Sequence, residues 1–312
     1  MTIKDRFGRP VINLRVSVTQ RCNLHCPYCH REGQEKHVEN KVTEMTSGEI
    51  ARLVRIAVGL GIKKVKLTGG EPLVREDITE IVAKIGEIPG VRDLSMTTNG
   101  TMLANYAEDL YDAGLVRVNV NIPTLRANVY SKLTGGKLHD VLKGIEEAIK
   151  VGLHPVKLNM LILKGVNDEE VEDMIKFAGK TGTILQLIEL EPINITDEYY
   201  KRYHHPLNGY ELELKRRALK IKTRRFMHNR RIYYLPEAKV EVIHPIENTE
   251  FCAHCTRLRI TSDGKLKPCL MRNDNLVDAL TPMRNGASDK EIEKLFIEAI
   301  MRREPYFKGP TQ

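Results

Sequence analysis

The stretch that decides the fold reads Leu14-Arg15-Val16-Ser17-Val18-Thr19-Gln20-Arg21-Cys22-Asn23-Leu24-His25-Cys26-Pro27-Tyr28-Cys29. Its first six residues alternate in polarity. On an extended strand this sends Leu14, Val16 and Val18 to one face and Arg15, Ser17 and Thr19 to the other. Three cysteines follow on the loop that leaves the strand, spaced Cys22-x3-Cys26-x2-Cys29.

Outward from this stretch the same alternation recurs at 64–68, 94–99, 116–122 and 156–162, and less cleanly at 184–190. Its polar members include Lys66, Thr68, Thr97, Arg117, Asn119, Asn121, Lys157 and Asn159. Segments of helical period lie between, at 46–61, 77–88, 103–113, 138–151 and 168–180, the first opening with Thr46 and Glu49 in capping-box spacing. Strands alternating with helices predict βα units and a parallel sheet. Six such units predict an α/β fold, an open, partial (β/α)6 TIM-like barrel rather than a closed eight-unit one. The apolar face of each strand must then meet the helices, and the polar face lines the interior. A polar, cationic interior calls for a polar, anionic ligand. An antiparallel sheet with one wet face is the alternative, and the intervening helices weigh against it.

After about residue 191 the texture changes. Residues 196–232 are rich in Tyr, His, Lys and Arg, and short β-like runs follow at 231–235, 239–243 and 258–261. Ser262-Asp263-Gly264-Lys265 reads as a hairpin turn, and 288–302 as a final helix. The expected division is a barrel core at 1–190 and a smaller C-terminal α+β unit at 191–312 that closes one end.

With 41% hydrophobic and 29% charged residues, the 312-residue chain has a globular rather than a disordered profile. The formal charge of +8 favours anionic ligands, although a solubilising surface would give the same number. The first ten residues lack the apolar core of a signal peptide, and no run approaches the roughly 18 apolar residues of a membrane span. No membrane association and a cytoplasmic location are therefore expected. In a reducing compartment the six cysteines read as metal ligands rather than disulfides.

They fall into two groups of three. An iron–sulfur cluster normally takes four cysteines, so a triplet leaves one iron open to a ligand from outside the chain. His25 or His30 could instead complete a zinc site. The second group is Cys252-x2-Cys255-x13-Cys269, and His254 offers the same zinc alternative there. It is accompanied by Thr256-Arg257-Leu258-Arg259. On an extended strand Arg257 and Arg259 point the same way, a fork of guanidiniums suited to an anion such as a triphosphate.

Cys22 through Cys29, with an aromatic residue before the third cysteine, resembles the signature of the radical S-adenosylmethionine (SAM) superfamily. Thr68-Gly69-Gly70-Glu71-Pro72 resembles that family's second motif. The resemblance implies a [4Fe–4S] cluster on Cys22, Cys26 and Cys29 whose open iron chelates SAM, and a radical formed when one electron cleaves it. From Arg6-Phe7-Gly8-Arg9-Pro10 to about residue 305, the chain is similar to the GTP 3′,8-cyclase family of molybdenum cofactor biosynthesis. Thr97-Thr98-Asn99-Gly100, Tyr111-Asp112-Ala113-Gly114-Leu115 and the segment around the second triplet carry that likeness, and Cys29-His30-Arg31-Glu32-Gly33-Gln34 looks like its archaeal branch.

Further roles follow from this likeness alone. Cys252, Cys255 and Cys269 would hold a second [4Fe–4S] cluster that binds the purine of GTP. Arg15, Lys66, Thr97, Lys157, Arg257, Leu258 and Arg259 would bind GTP, with Arg15, Arg257 and Arg259 closest to the chemistry. Tyr28, Gly70 and Asn121 would bind SAM. An unidentified one-electron donor and a downstream cyclic pyranopterin monophosphate synthase are the implied partners, nucleic acid is not expected, and a homodimer is left open. Lys66 stands where bacterial relatives carry arginine, and Asn121 where many carry serine. Glu191 replaces a residue that contributes to SAM binding in bacteria, and Gly309-Pro310-Thr311-Gln312 stands in place of a glycine pair. Two rivals remain: a twin-cluster radical SAM enzyme that modifies peptides, and a nucleic-acid-binding zinc protein.

Overall fold

The computed structural model describes residues 2–34, 43–245 and 248–306. The terminal run Gly309–Gln312 lies outside the described residues. Six parallel strands follow the chain in order: β1 (Asn13–Ser17), β2 (Lys64–Thr68), β3 (Asp93–Thr98), β4 (Arg117–Asn121), β5 (Lys157–Leu161) and β6 (Ile184–Ile188). Each pairs with the next in parallel register. Their alternation sets Leu14, Val16, Val65, Leu67, Val118 and Leu158 into the core beneath the helices.

The helices form where the spacing of apolar residues predicts. Ser47–Gly59 buries Ile50, Leu53, Val54 and Ala57 along one stripe, and Thr46 and Glu49 close a reciprocal capping box at its start. Such a cap contributes about 1 kcal/mol and fixes where the chain turns back against the sheet. The final helix, Asp289–Met301, starts in the same way at Ser288 and Glu291.

The later strands extend this sheet at both edges. They are β7 (Lys220–Arg224), β8 (Arg230–Tyr234), β9 (Lys239–Ile243), β10 (Arg257–Ile260), β11 (Lys265–Lys267) and β12 (Val277–Asp278). One sheet of twelve strands results, in the order β12-β11-β10-β1-β2-β3-β4-β5-β6-β9-β8-β7. The sheet is open: β9 lies parallel to β6 and β10 parallel to β1, on opposite sides of the first six strands. The segment from β9 to β10 therefore crosses from one side of the partial barrel to the other. It carries Cys252 and Cys255.

The basic stretch 196–232 holds two helices, Asp197–Tyr203 and Asn208–Arg217, and strand β7. None of these was legible in the sequence. β7 is largely exposed, so no apolar alternation marks it. Among the described residues, no helix is long and apolar enough to cross a membrane.

Candidate active site

The polar strand faces converge on one cavity of about 740 Å³, within the size range of small-molecule sites. All six cysteines line it, and none is in a disulfide. The first triplet sits on the loop after β1. Gly70 packs against this loop so closely that a Cβ would come 2.1 Å from the Arg21 carbonyl oxygen and 2.5 Å from that of Gln20. Glycine is required here because backbone meets backbone, not only because a ligand approaches. Glu71 locks the same corner, accepting hydrogen bonds from the Leu73 N–H (3.1 Å), the Thr98 hydroxyl (2.7 Å) and the Asn99 N–H (2.6 Å).

Three cations form a row across adjacent strands, because Arg259 on β10 is in register with Arg15 on β1, and Arg15 with Lys66 on β2. Like charges side by side repel, so the row needs a counter-charge. Glu32, just beyond the first triplet, supplies part of it. Its carboxylate lies 3.2 Å from Arg15 and 2.6 Å from Arg259, and it accepts from the Thr68 hydroxyl at 2.9 Å. Burial alone would raise its pKa, yet Arg15 and Arg259 hold it well below the usual carboxylate range.

A second carboxylate, Glu241 on β9, is fully buried. It pairs with Lys157, with Arg224 at 3.0 Å and with Arg230 at 3.6 Å, and accepts from the Gln186 amide at 2.6 Å. Burial pushes Lys157 down to about 8 even with Glu241 beside it. Lys66 and Arg257, on the strands that carry the cationic row, keep no carboxylate partner among the described residues. Lys66 donates to the Asn119 amide oxygen at 2.7 Å. Arg257 is held well below its ordinary value by burial and by repulsion from Arg15, Arg230 and Arg259. The Thr97 hydroxyl, also on the wall, has no hydrogen-bond partner among the described residues. Cations without carboxylate partners and an unpartnered hydroxyl on a cavity wall suit the binding of an anion.

The second triplet is held by charged residues from both ends of the chain. Arg9 donates to the Cys252 carbonyl at 2.9 Å, to that of Pro305 at 3.0 Å and to that of Glu304 at 2.6 Å. Arg303 donates to the Cys255 carbonyl at 2.5 Å and lies 2.9 Å from Asp5, which also pairs with Arg9. Burial would raise the Cys255 thiol, but Arg303 and Arg257 lower it, favouring the thiolate a metal needs. On the first loop, burial pushes Cys26 up to about 12, a cost that bound iron would remove. Two triplets of thiols lining one cavity fit clusters that each keep an open iron. Among the described residues, no three ligating side chains are placed to hold a single metal ion.

Residues 16–178 match the model of the Radical SAM superfamily, and residues 183–309 match that of Molybdenum Cofactor Synthesis C. The probable GTP 3′,8-cyclase of Thermococcus kodakarensis is 56% identical, with 97% of this chain and 99% of that protein covered. That of Pyrococcus abyssi is 52% identical over the same shares, and that of Methanothermobacter thermautotrophicus 48% identical over 98% and 99%. The chain belongs to the GTP 3′,8-cyclase family. Among solved structures it resembles Streptococcus suis SuiB bound to SAM, with a TM-score of 0.65 at 17% identity, over 87% of this chain and 64% of that one. It also resembles anSMEcpe with bound SAM, with a TM-score of 0.59 at 14% identity, over 94% and 81%. Both likenesses are of fold.

Besides the six cysteines, the cyclase resemblance named ten positions, and the cavity gathers all but one of them. Arg15, Tyr28, Lys66, Gly70, Thr97, Asn121, Lys157, Arg257 and Arg259 line it. Leu258 does not: its side chain is fully buried in the core on the other face of β10, so only its backbone could reach a ligand. Asn121 accepts a hydrogen bond from the Asn159 amide at 2.9 Å, and Tyr28 bonds to the Cys26 thiol. Glu191 also lines the wall. Glu32, Glu241, Arg224, Arg230 and Arg303 were not read as site residues. Glu241 was within reach, since it is the polar member of the run Val240-Glu241-Val242.

Proposed function

We propose that this chain is a GTP 3′,8-cyclase, a lyase that converts GTP to (8S)-3′,8-cyclo-7,8-dihydroguanosine 5′-triphosphate with SAM as cosubstrate, in the first step of molybdenum cofactor biosynthesis. The observation that carries the reading is the pair Lys66 and Arg257, cations without carboxylate partners on the wall that also holds both cysteine triplets.

Cys22, Cys26 and Cys29 would hold the SAM-binding [4Fe–4S] cluster, and Cys252, Cys255 and Cys269 the substrate-binding one. When bound, the first cluster and SAM supply the one-electron chemistry that removes hydrogen from C3′ of GTP. Arg15, Lys66, Lys157, Arg257 and Arg259 bind and orient the triphosphate, and Thr97 donates or accepts one hydrogen bond. In a wall of low dielectric each of these contacts is stronger than it would be in water. Tyr28, Gly70 and Asn121 shape the SAM side of the cavity. Its walls also keep water from a reactive carbon centre. In this reading residues 1–190 are the partial-barrel core, which serves both SAM and GTP, and residues 191–312 are the auxiliary-cluster region, which adds the second triplet and Arg257 and Arg259. The reading implies an external one-electron donor, a cyclic pyranopterin monophosphate synthase downstream and a cytoplasmic setting.

Anaerobically reconstituted chain should carry about eight irons and little zinc. With SAM, a reductant and GTP deuterated at C3′, it should yield deuterated 5′-deoxyadenosine. Formation of unlabelled 5′-deoxyadenosine alone would remove the cyclase assignment while leaving the superfamily in place.

A further inference from the structure

The hairpin of β7 and β8 belongs to the basic stretch 196–232, to which the sequence assigned no role, and its tip turns inward. Arg224, Met227, His228 and Arg230 all line the cavity. Arg224 and Arg230 are directly opposite each other across the two strands. Like charges in that position repel, and here one of them is buried: the Arg230 side chain is only 6% exposed. Among the described residues, Glu241 is the only carboxylate within ion-pair distance of Arg224, Arg230 or Lys157. One negative charge shared by three cations leaves this corner in excess positive charge.

The tip is also fastened in place. Its backbone takes left-handed conformations at His228 (φ 60°) and Asn229 (φ 54°), which non-glycine residues adopt at a cost. The His228 ring stacks on Phe251 with centroids 3.8 Å apart, and its Nδ1 lies 3.0 Å from the Phe251 carbonyl oxygen. The Thr256 hydroxyl donates to the Phe226 carbonyl at 2.8 Å. These contacts clip the hairpin to the segment that carries Cys252 and Cys255. The two arginines are thus held at a fixed place relative to Arg257, close enough that Arg230 repels it.

We propose that Arg224 and Arg230 form a further phosphate-binding subsite, which continues the cationic wall of Arg15, Arg257 and Arg259 and takes the phosphate chain of a nucleoside triphosphate. The inference rests on the GTP reading and adds to it two residues from the C-terminal hairpin, with Glu241 as the carboxylate that competes with phosphate for them. It makes the hairpin a reader of phosphate number: a triphosphate reaches it, and a monophosphate does not.

The test is anaerobic calorimetry on reconstituted chain with GTP, GMP and inorganic triphosphate. Arg224→Gln and Arg230→Gln should each weaken GTP and inorganic triphosphate by about tenfold, one charge-assisted contact's worth, and GMP far less. Glu241→Gln should shift inorganic triphosphate the opposite way, toward tighter binding, which a merely structural role would not do. Equal losses for GTP and GMP, or no loss for either, would overturn the subsite. If Arg230→Gln does not fold, Arg224→Gln, at a side chain 26% exposed, decides alone. Wild-type chain that binds inorganic triphosphate but not GTP would keep the subsite and remove the cyclase reading.

Discussion

Replacing Glu32 by glutamine keeps the side chain's shape and removes one buried charge. In the folded chain this carboxylate faces Arg259 at 2.6 Å and Arg15 at 3.2 Å, and its own side chain is 8% exposed. Breaking a buried ion pair by neutralising one member costs about 3–5 kcal/mol, because the remaining charge is left without compensation. Arg15 is 19% exposed and Arg259 9%, so water relieves part of this, and the lower figure applies. At about 2 °C per kcal/mol for a chain of this size, the expected loss is roughly 6 °C in Tm.

The sign of the pH dependence follows from the same contacts. Arg15 and Arg259 depress the folded-state pKa of Glu32, so its contribution is present above the unfolded carboxylate value and is lost as pH falls through the lower folded one. Glu32→Gln should therefore be less stable than wild type at neutral pH and should lose less on acidification. An anion bound between the two arginines restores the missing charge, so GTP should narrow the gap in Tm. Scanning calorimetry of both reconstituted chains at one scan rate, with and without GTP, measures all three effects. Equal melting temperatures at neutral pH, or a gap that GTP leaves unchanged, would refute the reasoning.

Arg257→Ala should weaken GTP binding by about 1.5–3 kcal/mol, the contribution of one charged hydrogen bond, as read by anaerobic calorimetry. Unchanged affinity would take Arg257 out of the site. Gly70→Ala places a Cβ 2.1 Å from the Arg21 carbonyl oxygen and should displace the first cysteine loop. Iron retained after reconstitution should fall toward half, with the second triplet still loaded. His244, between Glu189 (3.4 Å) and Glu211 (3.2 Å), is raised to about 9 by these partners against the opposing effect of burial. Its stabilisation is complete below the unfolded histidine value and is lost as pH rises through about 9. A His244→Gln chain should show a flatter stability curve over that window in urea titrations.

Much of the site was legible in one dimension because a strand's period is two. Arg15, Lys66, Thr97, Asn119 and Lys157 occupy alternate positions on their strands, and alternation alone assigns them to one face. Spacing likewise exposed the two cysteine triplets, since ligands on one loop must be near in sequence. The counter-charges were not legible in this way. Glu32 sits in an irregular turn with a left-handed backbone, where no period applies, and its partners on β1 and β10 are 17 and 227 residues away. Arg224 and Arg230 were hidden in a run of surface-like cations, and only the register of the hairpin separates them from neighbours that face water.

The amino-acid order by itself therefore determined the βα repeat, the polar interior and the two sets of thiols, because each depends on local periodicity or short spacing. Tertiary structure alone decided which cations are neutralised and which are left to a ligand. It also decided that the C-terminal strands flank both sides of the partial barrel, bringing the second triplet over the same cavity as the first. The physical reason is that charge balance depends on distances through space between strands far apart in the chain, and no local pattern records those distances.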